Sequence, residues 1–236
     1  MFPYRRRRDV MKTKSLIHLF LTSIVIFGFA GCATESHQTI TPDTVNSAGT
    51  PYNGAKSTLM VGKFNNHSPY MNGLFSDGND ILGGQGKSLL LTDLQQTGRF
   101  IVVDRDNMNE ITNEASIKGE PLHLKGADYV ITGEINEFGR KEVGDEEFFG
   151  IFGSGKKQVA YSKVNLNVVD VTSSTVVFAV QGAGEYALSD REVLGFGGNS
   201  GYDSTLNGKV LDLALREAVN RLVDGIEQGK WNPQKQ

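Results

Sequence analysis

The chain has 236 residues and a formal net charge of −3. Six basic residues and one acidic residue fall within the first 31 positions, so the remaining 18 basic and 26 acidic residues give a net charge of −8. This balance argues against a nucleic-acid partner, because nucleic-acid binding needs a basic face. The part of the chain after residue 31 is long enough for one domain with a proper core.

The first 31 residues have the pattern of a secretory signal peptide. Arginines at 5–8 form a positively charged start, residues 16–29 are mostly apolar, and Ala30-Gly31 precede the single cysteine, Cys32. The apolar run is shorter than the ~20 residues that a spanning helix needs, and small residues at the cut are typical of signal cleavage. Cys32 is the only cysteine, so it has no disulfide partner. We therefore expect lipid on Cys32; an uncleaved anchor is the alternative.

Residues 32–56 are rich in Thr, Ser, Asn, Pro and Gly, which predicts a lipidated flexible tether leading to a domain at 57–236. Within that domain, hydrophobic periodicity predicts five strands and three helices. In chain order these are a strand at 58–64, a helix at 80–97, a strand at 100–104, a helix at 106–117, strands at 127–138, 159–171 and 175–183, and a helix at 206–227.

Three of these elements have a recognisable buried face. The alternating residues of the fourth strand are Ala160, Ser162, Val164, Leu166 and Val168. The stripe of the first helix is Ile81, Leu82, Leu89, Leu90 and Leu94, and that of the last helix is Val210, Leu213, Ala214, Val219, Leu222, Val223 and Ile226. The sequence therefore predicts an α/β (α+β) fold in which helices flank one sheet.

No motif for catalysis or cofactor binding is complete. The run from Gly83 to Ser88 resembles the end of a phosphate-binding loop, but Ile81 occupies the position where that motif requires its first glycine. His67 and His123 lie far apart and lack a carboxylate at ligand spacing. We therefore expect no enzyme activity, no metal and no cofactor.

Five stretches of the chain occur in an order that is shared with a known family. They are Arg99–Arg105, Leu124–Glu134, Phe149-Gly150-Ile151, Val164–Val171 and Asp224–Trp231. In this order they resemble the curli secretion channel family (CsgG/HfaB), whose members are outer-membrane-associated lipoproteins. The resemblance extends from about Leu59 to Trp231, which is nearly all of the chain after the signal.

The resemblance implies a ring of subunits. Two extended β-hairpins per subunit, here at about 138–161 and 184–208, would form a transmembrane β-barrel in that oligomer, and a loop after the first strand would narrow the lumen. The family's constriction pattern is Pro-Tyr, four residues and Phe, with Asn before the Phe. Tyr70 and Phe75 match this pattern, whereas Leu74 replaces the Asn. These three are the expected constriction residues; ordinary loop anchoring is the alternative for Tyr70 and Phe75.

Two functions follow from these observations. The first is an oligomeric channel for secretion of amyloid-type fibre subunits, which the spacing of Tyr70 and Phe75 favours. The second is a periplasmic lipoprotein of the same fold that activates or scaffolds an envelope partner, as penicillin-binding-protein activators do. Charged residues at 140–147 interrupt the apolar face that a membrane strand needs, and this supports the second.

The expected partners are further copies of the chain, an unfolded secreted protein or accessory curli-type proteins, and a membrane. Ala33, rather than Asp, follows Cys32. In many Gram-negative bacteria that residue permits transfer of a lipoprotein to the outer membrane. The expected location is therefore the periplasmic side of the outer membrane, with the domain held there by lipid.

Overall fold

The computed structural model describes residues 41–70, 80–146, 154–191 and 206–233. The chain divides into two compact units, residues 1–42 and 43–236, and all described helices and strands belong to the second. In chain order they are β1 (Ser57–Asn66), α1 (Ile81–Thr97), β2 (Phe100–Val103), α2 (Met108–Lys118), β3 (Tyr129–Glu146), β4 (Ser154–Asp170), β5 (Val176–Arg191) and α3 (Leu206–Glu227).

One mixed sheet organises the domain. Its strand order is β2-β1-β3-β4-β5, with β1 parallel to both β2 and β3, and antiparallel pairing from β3 through β5. Helix α1 packs on β1 and on α3, and α3 covers β4 and β5. Helix α2 contributes no buried residue. The predicted fold class and the predicted order of elements are confirmed.

The predicted buried face of β4 is confirmed: its five alternating residues are at most 2% exposed. The stripe on α3 is wider than predicted, because this helix packs against α1 as well as the sheet. Leu211, Leu215 and Ala218 are fully buried in addition to Leu222. Leu213 was expected in the stripe but is only half-buried, at the β5 edge of the sheet. Ile81 of α1 was also expected inside, and it is 66% exposed.

The glycine run at the start of α1 serves helix packing. The ring of Phe64 lies so close to Gly86 that a Cβ there would be 2.5 Å from its Cε1 atom. On the other side of the ring, a Cβ at Gly133 of β3 would be 2.2 Å from its Cδ2 atom. Both positions therefore require glycine for the helix and the sheet to enclose Phe64. This gives a structural reason for the run that resembled a phosphate-binding loop.

The segment before β1 differs from the predicted tether. Val45 is 2% exposed and belongs to the main hydrophobic core, and Ser47 is 8% exposed. Residues 43–52 thus lie on the domain rather than forming part of a free linker, so the folded unit begins before residue 57. The polar composition of this stretch concealed its packing, because its partners are distant in sequence.

Within the described ranges, no helix has the length and apolar character that crossing a membrane requires.

Candidate functional site: the loop after β1 and the long strands

Tyr70 connects the loop after β1 with two elements, β3 and α3, at one end of the sheet. Its ring centroid is 4.9 Å from that of Phe138 on β3. Its hydroxyl oxygen accepts a 2.8 Å hydrogen bond from Nδ2 of Asn207, in the first turn of α3. The Oδ1 atom of Asn207 accepts a 2.9 Å bond from Nε of Arg140 on β3. Tyr70 is therefore held by a polar bridge between β3 and α3 as well as by ring packing.

The neck of the loop after β1 is closed by Asp80. One of its carboxylate oxygens accepts a 2.7 Å bond from the amide of Asn66, the last residue of β1. The other accepts a 2.7 Å bond from the amide of Gly83, which caps the N-terminus of α1. Asn66 also donates from Nδ2 to the backbone oxygen of Tyr70 at 2.8 Å. Asp80 thus fixes the start and the end of the loop beside each other.

The expected constriction residues can be placed only in part. Tyr70 is half-buried, and its contacts are those of a loop anchor within the subunit. Leu74, Phe75 and Cys32 lie outside the described residues. Sequence reasoning missed Asp80, Asn207 and Arg140 as supports of this loop. Only Asp80 carried a local signal, because an Asp before an apolar helical run is a typical N-cap.

The long strands extend from the same end of the domain as this loop. The β3–β4 ladder runs from the Tyr129–Asp170 pair to the Glu146–Ser154 pair, and β5 continues the sheet to the Gly155–Arg191 pair. The bond from Arg140 to Asn207 marks the level at which α3 begins. Six further residues of β3 follow Arg140, which adds about 20 Å of strand. The ribbon therefore continues past the helix layer.

The ribbon contains both strands of the first expected hairpin and only one strand of the second. Residues 138–146 and 154–161 form its β3 and β4 strands. From residue 184 to Arg191 the second expected hairpin coincides with β5, and from Leu206 it coincides with α3. Residues 192–205, which would hold its return strand, lie outside the described part of the chain.

A separate polar cluster lies between the two packed helices. Asp93 of α1 is 4% exposed, and its burial raises the pKa of its carboxyl to about 7. The neighbouring Asp212 carboxylate adds to that rise in pKa, and the guanidinium of Arg216 opposes it. Arg216 also bonds Asp212 and lies 3.1 Å from Asp43. In the described ranges, no group of three or more His, Cys, Asp or Glu residues could hold a metal ion.

The protein is an α+β protein with one mixed sheet and a helix layer packed on it. The loop held by Asp80 and the three-stranded ribbon lie at one end of that sheet. The model of the family "Curli production assembly/transport component CsgG" matches residues 43–236. The chain therefore belongs to the CsgG family, and the resemblance found in the sequence is confirmed.

The relatives agree with this assignment. A Neisseria meningitidis serogroup B protein described as a lipoprotein is 52% identical over 225 residues, which cover 95% of this chain and all of that protein. The chain thus has the fold of a CsgG-family lipoprotein.

Among solved structures, the PelC dodecamer from Paraburkholderia phytofirmans matches with a TM-score of 0.35 and 14% identity, over 75% of this chain and 97% of that one. A lipoprotein from Neisseria meningitidis matches with a TM-score of 0.36 and 13% identity, over 73% and 99%.

Proposed function

We propose that the protein is a lipid-anchored subunit of a ring-shaped channel that exports unfolded, amyloid-type fibre subunits across the outer membrane. One observation carries this proposal: the β3–β4–β5 ribbon continues past the helix layer, at the same end as the pinned loop, in a chain that the CsgG family model matches. The protein acts in this proposal by holding and guiding a polypeptide, without catalysis, cofactor or metal.

The length of the ribbon approaches what the crossing of a membrane requires. The β3–β4 ladder has nine paired positions from Phe138–Ser162, at the level of Tyr70, to Glu146–Ser154, and six of them follow Arg140 past the helix layer. A membrane-spanning strand needs about 9–11 residues. In a closed ring each subunit would contribute its ribbon to one barrel, which would pair the edge strands that an isolated sheet leaves open.

The loop after β1 would face the lumen of that ring. Cyclic symmetry repeats every contact, so one loop per subunit would converge on the axis. Tyr70 would hold the base of each loop through Phe138 and Asn207, and Phe75 would narrow the passage beyond it. Rings of aromatic side chains restrict a pore without binding an extended chain tightly.

Lipid on Cys32 would keep the domain close to the membrane. Ten residues, and so eleven Cα–Cα steps, separate Cys32 from Asp43, where the described contacts with α3 begin. A chain of that length spans at most about 36–40 Å. Labelled palmitate should enter the wild type and not Cys32→Ala; labelling of the variant would contradict the proposed anchor.

The ribbon itself provides the test of the channel. Full-length protein is purified in detergent, imaged by electron microscopy and added to planar bilayers. We expect rings and stable single-channel currents from the wild type. Replacing residues 143–157 by a short Gly-Gly turn keeps the ladder beside α3, so the domain should fold but conduct no current.

Three outcomes decide the matter. Currents that persist unchanged in the shortened variant would show that the ribbon forms no pore. Rings without any current would contradict export through this protein. Wild-type monomers without currents would leave the fold intact and support the periplasmic binding role instead.

A further inference from the structure

The segment that leads from the predicted lipid site into β1 is fastened to the helix layer. Residues 43–52, here called the strap, form two backbone turns, in which Ala48 donates to Val45 O at 3.0 Å and Thr50 donates to Ser47 O at 3.1 Å. Val45 is 2% exposed and packs in the main core. The strap is therefore an ordered part of the domain.

Arg99 is the centre of this attachment. Its side chain is 5% exposed, and its Nη1 atom donates to the backbone oxygens of Thr50 at 3.1 Å, Ser47 at 3.4 Å and Thr97 at 2.9 Å. Its Nη2 atom lies 2.7 Å from Oε1 of Glu227, near the end of α3. Its Cζ atom is 5.1 Å from the ring centroid of Tyr52, within cation–π range. One guanidinium thus joins the strap to both packed helices.

A second set of contacts continues up α3. The amide of Asn46 donates to Oδ1 of Asn220 at 2.9 Å, and the carboxylate of Asp43 lies 3.1 Å from Arg216. From Glu227, which the strap reaches through Arg99, to Asn220 and Arg216, which it contacts directly, these contacts move towards the N-terminus of α3. The strap therefore follows the helix for about three turns, since 3.6 residues make one turn.

We propose that Arg99 and Glu227 form a clasp that sets the length of the lipid tether. With the strap fastened, ten residues lie between Cys32 and Asp43, and a stretch of that length reaches at most about 36–40 Å. With the strap released, 24 residues lie between Cys32 and Ser57, and the maximum reach rises to about 83–90 Å. The clasp therefore reduces the maximum distance between the lipid on Cys32 and the folded domain to less than half. A force that pulls on the lipid is then transmitted to α1 and α3 instead of β1. This inference rests on the proposed lipid anchor at Cys32 and is independent of the proposed channel.

Hydrogen exchange on the full-length protein tests the clasp. Arg99→Met removes the guanidinium, and Glu227→Gln weakens its ion pair with little change in shape, which keeps the test open if Arg99→Met fails to fold. We expect amide exchange in residues 45–50 to accelerate at least tenfold in either variant, while exchange in β4 stays unchanged. Arg221→Met is the matched control, because Arg221 is exposed on α3 and pairs with Glu217 one turn away on the same helix.

Distance from the membrane is the second measurement. Trp231 is the only tryptophan of the chain, so energy transfer from it to a headgroup dye in vesicles reports how close the domain lies. We expect weaker transfer in both clasp variants than in the control. Strap exchange that rises no more than β4 exchange would overturn the clasp, and so would equal acceleration in Arg221→Met. Unchanged energy transfer with faster strap exchange would overturn its role in setting tether length.

Discussion

Single residues in this protein are set by partners far along the chain. Tyr70 bonds a side chain 137 positions away, and Arg99 bonds one 128 positions away. Sequence reasoning found Tyr70 by its spacing to Phe75, but Asn207 and Arg140 carried no local signal. The same holds for Asp93, which occupies a polar position of a helix pattern and is nevertheless buried between α1 and α3.

Asp93 should make stability depend on pH. Its pKa in the folded protein is raised from 3.8 to about 7, so the folded state holds this proton where the unfolded state has lost it. The stabilisation is complete below about pH 4 and is lost as the pH rises through about 7. Urea unfolding between pH 5 and pH 8 should show the free energy of unfolding falling by about 2–3 kcal/mol from this carboxyl.

The variant Asp93→Asn removes this titration. It should unfold with a flatter pH profile and exceed the wild type in stability at pH 8. Asp224→Asn, at an exposed position of α3, is the control and should keep the wild-type profile. A profile in Asp93→Asn as steep as in the wild type would assign the pH dependence to other groups.

At the scale of elements, Gly84 and Gly86 of α1 allow the effect of packing on stability to be measured separately from the effect of helix propensity. A Cβ at Gly86 would lie 2.5 Å from the ring of Phe64, whereas a Cβ at Gly84 would meet nothing within 4 Å. Gly86→Ala should therefore cost about 1–3 kcal/mol through overpacking. Gly84→Ala should instead stabilise by about 0.5–1 kcal/mol, because alanine favours a helix more than glycine does. Thermal unfolding of the pair measures both signs, and destabilisation by both would refute the packing argument.

Helix α3 offers a second matched pair. Leu222 is fully buried against the core, whereas Leu213 is half-buried at the β5 edge. Leu222→Ala should lower the free energy of unfolding by about 2–5 kcal/mol, the usual range for a buried leucine. Leu213→Ala should cost clearly less in the same urea titration. Equal losses would mean that the buried arc of α3 is centred on the wrong residues.

Some elements could be predicted from local sequence patterns, whereas others depend on partners that are distant in sequence. The β4 face and the range of α3 follow from apolar periodicity, which is a local property. The outer part of β3 was predicted only through the family resemblance, which implied a hairpin at 138–161. Periodicity did not predict it, because charges after Phe138 break the alternation and pairing with β4 determines the structure there. The strap was expected to be free, because its Thr, Ser and Asn residues resemble a linker until Arg99 and α3 supply their partners.

At the scale of the whole domain, the pinned loop and the clasp lie at opposite ends of the sheet. The pinned loop and the ribbon lie where β1 ends, beside the start of α3. The clasp and an aromatic cluster around Trp231, which contacts Phe100, Tyr129 and Phe178, lie where β1 begins. The core between them is continuous. In the proposed channel, changes in the loop should therefore alter passage through the ring without unfolding the domain.

The constriction predicted from the sequence can be tested on that basis. Tyr70→Ala together with Phe75→Ala removes two aromatic rings from every loop, and ring symmetry multiplies the change by the number of subunits. Single-channel conductance should rise markedly, while micrographs should show rings of unchanged size. Tyr70→Phe is the matched control, because it keeps the ring against Phe138 and loses the bond from Asn207. It should conduct nearly as the wild type does. Channels whose conductance ignores the double substitution would show that the loop after β1 lies away from the lumen, and Tyr70 would then serve only to anchor it.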